Sequence, residues 1–319
     1  MSSSISNSSN TSHTPIAHIE SDDQARRIDF SGIWVALVTP FCADTGAAVD
    51  FPALQALASK LILEGVAGLV VCGSTGEAAA LSEDEQLLVL DAVLAVVPAH
   101  QVIMGLSGNH MGQVLHRLAS VGQRQVAGVL VTPPYYIRPS QAGILHYFNA
   151  IADVSPLPVL LYNIPYRTGV NMELATLQQL ARHPNIVAIK DCGGNLQATM
   201  QLIMDGDIQV LTGEDHQLFS TLCLGGAGGI LASAHIRPDL FLRLQVHINA
   251  GQLAQARTIF YHLLPVMQAL FEEPNPAPLK AALAASGAMQ ACLRAPMLAA
   301  TAETVDKLLR AITNLDIIA

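Results

Sequence analysis

Lysine is scarce in this chain, with four residues among 319. Lys60, Lys280 and Lys307 sit in helical patterns (LASKLIL, APLKAAL, VDKLLRAI), where a solvated face accounts for them. Lys190 alone ends an apolar run, Ile186-Val187-Ala188-Ile189. An ammonium at a buried strand tip is poorly solvated, which lowers its pKa and frees the amine as a nucleophile. A Schiff-base lysine requires that. A lysine paired with the adjacent Asp191 carboxylate fits the same position, and position alone leaves both readings open. Two more strings carry chemistry. In Tyr162-Asn163-Ile164-Pro165-Tyr166-Arg167-Thr168-Gly169, a strand-tip tyrosine can pass protons to or from a reacting atom. Arg167, in the same loop, can grip a carboxylate with two prongs. Singly, these would be a core tyrosine and a surface arginine; sharing one tight Pro/Gly loop favours the functional reading. In Gly73-Ser74-Thr75-Gly76-Glu77, glycines admit a ligand to backbone N–H groups and two hydroxyls stand beside them, which suits a small carboxylate. The same string also serves as a plain turn leading into a helix.

Each string follows a short β-rich run. Such runs are expected at Ile33–Thr39, Gly68–Cys72, Val102–Leu106, Gly128–Thr132, Val159–Asn163, Ile186–Lys190, Val210–Gly213 and Gly229–Ala232. Between them lie patterns of helical period, such as Leu54, Leu57, Ala58 and Leu61. Another helix opens on the capping box Ser82-Glu83-Asp84-Glu85 and continues through Leu87, Leu90, Leu94 and Val97. Eight strand–helix repeats are the count of an α/β fold of the (β/α)8 TIM-barrel type. A doubly wound sheet would carry a glycine-rich fingerprint after its first strand, and Val38-Thr39-Pro40-Phe41 is unlike one. The expected organisation is a flexible tail over 1–28, a catalytic barrel over 29–250 and additional helices over 251–319. In such a barrel the chemistry sits at the C-terminal tips of the strands, where all three strings fall.

Composition narrows the class further. Hydrophobic residues make up 51% and charged residues 13%, which excludes a long disordered chain. A net charge of −9 argues against a nucleic-acid partner. Mean hydropathy is +0.40, yet no uncharged apolar run reaches the roughly 18 residues of a spanning helix. The five cysteines are scattered without a C-x-x-C pair, which reads as reduced thiols in a cytoplasmic protein. The histidines show no metal-ligand spacing, and capping and solvation account for Glu214-Asp215-His216. The serine-rich first residues contain no apolar segment of the kind a secretory signal needs.

Taken in order, the motifs resemble the pyruvate-dependent class I aldolase family of dihydrodipicolinate synthase and N-acetylneuraminate lyase. Val38-Thr39-Pro40-Phe41, the G-S-T-G-E string, Pro134-Tyr135-Tyr136, the Y-N-x-P loop and the Ile189-Lys190 tip all fall where that family places them. The resemblance runs from about Ile33 to the C-terminus and implies a (β/α)8 barrel with C-terminal helices. The loop Y-N-I-P-Y-R-T-G and the stretch Glu273-Pro274-Asn275-Pro276-Ala277-Pro278-Leu279-Lys280 are closer to the synthase members. Ser74 stands where those members carry threonine and is shared with the lyases, and Ile137 stands where they often carry asparagine. The resemblance implies that Lys190 forms a Schiff base with pyruvate, whose carboxylate rests on Ser74 and Thr75. Tyr162 would shuttle protons through Ser74 and Tyr136, and Arg167 would hold the carboxylate of an aldehyde partner, aspartate semialdehyde in the synthases. Gly213 and Ile230 match pocket-lining positions. No metal or nucleotide cofactor is implied. Tyr136 is expected to reach a neighbouring subunit's site, in a homodimer or homotetramer. A lyase acting on sialic or 2-keto-3-deoxy sugar acids, and a paralogue that binds a carboxylate without turnover, are the competing readings. In lysine-inhibited members the effector lies near positions matching Ala78, Glu83, Gln86, Asn109, Gln113 and Tyr135. Here Gln113 replaces a glutamate, and Glu83 and Gln86 replace histidines, so weak or absent lysine feedback is expected.

Overall fold

The computed structural model describes residues 28–315. The expected tail therefore lies almost wholly outside the described residues. Among the described residues ten strands form: β1 (Gly32–Ala36), β2 (Phe41–Cys42), β3 (Ala48–Val49), β4 (Gly68–Val71), β5 (Val102–Leu106), β6 (Gly128–Val131), β7 (Val159–Asn163), β8 (Ile186–Asp191), β9 (Gln209–Thr212) and β10 (Gly228–Leu231). Eight of them close a parallel barrel in the order β1-β10-β9-β8-β7-β6-β5-β4, while β2 and β3 make a small antiparallel hairpin. This is the (β/α)8 barrel.

Among the described residues twelve α-helices accompany the strands. The first six are α1 (Phe51–Leu63), α2 (Glu83–Leu94), α3 (Met111–Gly122), α4 (Gln141–Val154), α5 (Pro165–Thr168) and α6 (Leu174–Ala181). Then come α7 (Leu196–Asp205), α8 (Leu218–Cys223), α9 (Pro238–Asn249), α10 (Leu253–Leu270), α11 (Ala277–Ala285) and α12 (Ala302–Thr313). The last three extend beyond the eight repeats and share the hydrophobic layer of the barrel helices through residues such as Leu263, Val266, Leu279 and Leu308.

Alternation along each strand sorts side chains between two cores. Trp34, Val70, Ile103, Leu130, Leu160, Ala188, Leu211 and Ile230 fill the barrel, and Phe30 packs on Trp34 with ring centroids 5.7 Å apart. Val35, Leu69, Val129, Leu161, Ile189 and Leu231 face the helices. On β7 this places Leu160 and Tyr162 inside. On β8 it sends Ala188 and Lys190 inward, with Ile189 and Asp191 outward. Tyr162 and Lys190 are register partners, so the two meet at the barrel mouth.

The strand expectations agree with the structure to within one residue at either end, except at β1. That strand stops at Ala36, three residues before the expected end, because Val38 and Thr39 take partners off the ladder. The Val38 N–H donates to His235 Nε2 at 3.3 Å, and the Thr39 hydroxyl donates to the Gly76 carbonyl at 2.7 Å. The capping box at Ser82 and Glu85 is formed in both directions. The buried face of α2 is Gln86, Val89, Leu90 and Val93, rotated from the expected one, with Leu87 and Leu94 only half-buried. Gln86 can join that face because its amide donates to the carbonyls of Ala78 and Leu81.

Candidate active site

Seven of the eight residues singled out from the sequence line one small cavity at the C-terminal mouth of the barrel. They are Ser74, Thr75, Tyr162, Arg167, Lys190, Gly213 and Ile230. Tyr136 does not join them. It stands 88% exposed in a left-handed backbone conformation at φ 69, held by an N–H bond to the Thr168 carbonyl at 3.0 Å.

Lys190 is buried, and burial pulls its pKa down, opposed by the carboxylates of Asp215 and Glu214. Its Nζ lies 4.4 Å from the centroid of the Tyr162 ring, whose face favours the cation. Desolvation is the larger effect. Pairing with Asp191, the alternative the sequence left open, is not what forms. The outward-facing carboxylate of Asp191 accepts from the Gly193 N–H at 2.8 Å and from the Thr199 hydroxyl at 2.6 Å. Among the described residues no carboxylate lies within ion-pair distance of Lys190. Gly213 makes room for this lysine, because a Cβ there would sit 2.5 Å from Lys190 Cε.

Burial also keeps the Tyr162 phenol protonated, pushing its pKa well above 10, with the Ser74 hydroxyl favouring the ionised form. The turn at 73–77 presents unusual donors. Its internal bonds use the N–H groups of Gly76, Glu77 and Ala78, and leave those of Ser74 and Thr75 without a protein acceptor. Thr39 secures this turn through Gly76, so the tip of β1 positions what β4 delivers. Arg167 follows Tyr162 on the short helix α5. Its guanidinium forms no ion pair among the described residues and leans on the Tyr166 ring, 5.9 Å from the centroid. Tyr166 in turn donates to Glu214 Oε1 at 3.0 Å.

Two expectations are corrected. Asp215 is not a solvated cap: it is buried and accepts the Ser233 N–H at 2.6 Å and the Ala232 N–H at 3.4 Å, tying the tip of β9 to that of β10. Lys280 does not lie on a solvated face. It is fully buried, with Nζ 2.5 Å from Glu77 Oε1 and donating to the Cys292 carbonyl at 2.9 Å. The sequence reading also gave Asn275 no role, although its proline-rich neighbourhood was conspicuous. Asn275 lines the cavity and donates to the Thr75 hydroxyl oxygen at 2.9 Å. Among the described residues no group of three or more His, Cys, Asp or Glu side chains could hold a metal ion, and no helix is long and apolar enough to cross a membrane.

Known proteins resemble both the chain and its fold. The profile of the Dihydrodipicolinate synthetase family matches residues 29–315. A 4-hydroxy-tetrahydrodipicolinate synthase of Methanosphaerula palustris is 36% identical over 291 residues, 90% of this chain and 100% of that protein. The structure of dihydrodipicolinate synthase from Cyanidioschyzon merolae with lysine bound is similar at a TM-score of 0.87 and 32% identity, covering 91% of this chain and 100% of that one. The Acinetobacter baumannii synthase complexed with pyruvate gives a TM-score of 0.86 and 31% identity, covering 90% of this chain and 99% of that one. A barrel with this mouth and these relatives is a class I aldolase, a lyase by reaction type. The chain belongs to the dihydrodipicolinate synthetase family.

Proposed function

We propose that the protein condenses pyruvate with L-aspartate 4-semialdehyde to give 4-hydroxy-tetrahydrodipicolinate, through a Schiff base on Lys190. The observation that carries this is a buried lysine without a carboxylate partner, facing a protonated tyrosine and a turn with two free N–H groups. The Lys190 amine adds its lone pair to the pyruvate ketone. Tyr162 hands a proton to the departing hydroxyl, water leaves, and the imine remains. The pyruvate carboxylate lies on Ser74, Thr75 and their N–H groups, where charge-assisted hydrogen bonds fix its orientation. The phenolate left on Tyr162 takes up a methyl proton, which turns the protonated imine into the enamine, and the terminal carbon of the enamine attacks the aldehyde carbon. The new alkoxide takes its proton by way of Tyr162. The amino group of the semialdehyde part then adds to the imine carbon and displaces the Lys190 amine, which closes the ring and frees the lysine. Arg167, unpaired at the mouth, holds the carboxylate of the semialdehyde in its two-pronged fork.

Tyr136 completes the relay from a neighbouring subunit in this reading, which its exposure and its fixed, left-handed backbone support. The working unit is then at least a dimer, acting in the cytoplasm.

Borohydride reduction with pyruvate, followed by peptide mapping, tests the first half. The mass gain is expected on Lys190, and a label on another lysine with none on Lys190 would sink the mechanism. Arg167→Lys tests the second half. Pyruvate trapping persists, while kcat/KM for aspartate semialdehyde falls on the order of 100-fold, since a point charge replaces a bidentate fork. Unchanged semialdehyde kinetics, with pyruvate release from sugar acids, would instead favour the lyase reading.

A further inference from the structure

The turn that carries Ser74 and Thr75 is clamped from behind by the C-terminal region, and one of the clamps reaches into the cavity. At the end of the turn Glu77 sits in left-handed conformation at φ 52. Its carboxylate is held by Lys280 Nζ at 2.5 Å and by the Arg294 N–H at 3.2 Å. In the middle of the turn, Asn275 Nδ2 donates to Thr75 Oγ1 at 2.9 Å. Asn275 comes from the connection between α10 and α11, is buried, and lines the same cavity as Lys190.

We infer that Asn275 is a positioning residue for pyruvate: by donating to the Thr75 oxygen it directs the Thr75 hydroxyl proton into the cavity, toward the substrate carboxylate. The inference rests on the pyruvate reading above. A threonine hydroxyl has one proton to give and two lone pairs to offer. Such protons commonly settle on a nearby backbone carbonyl, as the Thr258 hydroxyl does on that of Ala254 at 3.1 Å. Thr75 makes no such bond. Within the protein its hydroxyl only accepts, from Asn275, and donates to nothing among the described residues. The remaining direction is the cavity. A bond pointing the other way, from Thr75 to the Asn275 carbonyl oxygen, would present lone pairs to an incoming carboxylate. The C-terminal region thus takes part in the chemistry at the barrel mouth, acting through a threonine in the turn that follows β4, the second barrel strand in chain order.

Asn275→Asp reverses the polarity of this bond with little change in shape. The new carboxylate can only accept, so it draws the Thr75 proton away from the cavity. Half-saturation of Lys190 trapping by pyruvate is expected to rise on the order of 10- to 100-fold. kcat at saturating pyruvate is expected to change far less. Asn275→Ala, which frees the hydroxyl rotor, should raise half-saturation only a few-fold. In a Thr75→Val background the same Asn275→Ala change should add nothing, because there is no hydroxyl left to orient. This cycle keeps the test standing if Asn275→Asp does not fold, which a thermal melt reports. Wild-type half-saturation in a folded Asn275→Asp protein overturns the inference and leaves the pyruvate reading intact. So does an equal Asn275→Ala effect with and without the Thr75 hydroxyl. Failure of the unaltered protein to trap pyruvate at Lys190 overturns both.

Discussion

Lys190 and Lys280 are both withdrawn from water, and their neighbours give them different tasks. Burial lowers the pKa of each. Lys280 meets Glu77, the Cys292 carbonyl and the Phe41 ring, whose centroid is 4.1 Å from Nζ. Lys190 meets a tyrosine face and, among the described residues, no carboxylate at ion-pair distance. Lys280 is therefore part of the frame and Lys190 is available to react. The reactive lysine was legible because an apolar strand ending in lysine has few structural explanations. The framing lysine was not, because APLKAAL suits a buried or an exposed helix face equally, and its partner Glu77 lies in a distant part of the chain. Removing one member of a buried ion pair strands the other. Lys280→Met should cost about 3–5 kcal/mol of stability, read as a lower midpoint in urea unfolding. Pairing it with Glu77→Gln should restore much of that loss. A Lys280→Met protein within about 1 kcal/mol of the unaltered one would show that the pair carries little.

Among the elements, the barrel strands were the most readable, because strands buried on both faces are short unbroken apolar runs. The hairpin β2–β3 was not, since two residues per strand give no period to detect. The β1 tip shows why apolar sequence alone overestimates a strand. Leu37 and Val38 continue the run, yet the chain leaves the ladder where His235 intervenes. This histidine ties the connection after β10 to β1. Its Nε2 accepts the Val38 N–H, and its Nδ1 lies 2.8 Å from the Ala232 carbonyl, to which it donates. That pattern requires neutral imidazole, and burial pushes its pKa down to about 4. An exposed histidine in the unfolded chain takes its proton near pH 6.5. Below that value the unfolded chain binds a proton that the folded one refuses, so stability falls as pH drops from about 6.5 toward 4 and is full above that window. The shift corresponds to about 3 kcal/mol. Urea midpoints across this range should show the slope, and His235→Gln should flatten it while lowering stability at neutral pH. An identical slope in the variant would assign the effect to other groups.

At the scale of the whole molecule, a larger cleft adjoins the catalytic cavity and shares Ser74, Tyr162, Arg167 and Asn275 with it. Its far side is lined by Ala78, Glu83, Gln86 and Tyr135, four of the positions that correspond to the lysine site of inhibited family members, together with Arg117. A bound lysine presents two ammonium groups, each of which needs a carboxylate to offset its desolvation. Both carboxylates lining this cleft are already engaged. Glu77 belongs to Lys280, and Glu83 lies 3.8 Å from Arg117. The neutral partners are also committed, since Gln86 donates to two backbone carbonyls and the Asn109 oxygen accepts the Tyr135 N–H at 2.9 Å. Gln113, at the start of α3, offers an amide where a carboxylate is needed. Lysine titrated at fixed substrate should therefore inhibit weakly or not at all, and strong inhibition below about 1 mM, an affinity of more than about 4 kcal/mol, would show that the charge argument is wrong. Gln113→Glu separates a pocket that has lost one charge from a pocket that has lost its shape. Restoring the carboxylate should strengthen lysine binding by about tenfold, the difference between a neutral and a charge-assisted hydrogen bond. No gain from Gln113→Glu would mean that Arg117, one turn further along α3, sets the sign of the cleft and repels the effector whatever stands at position 113.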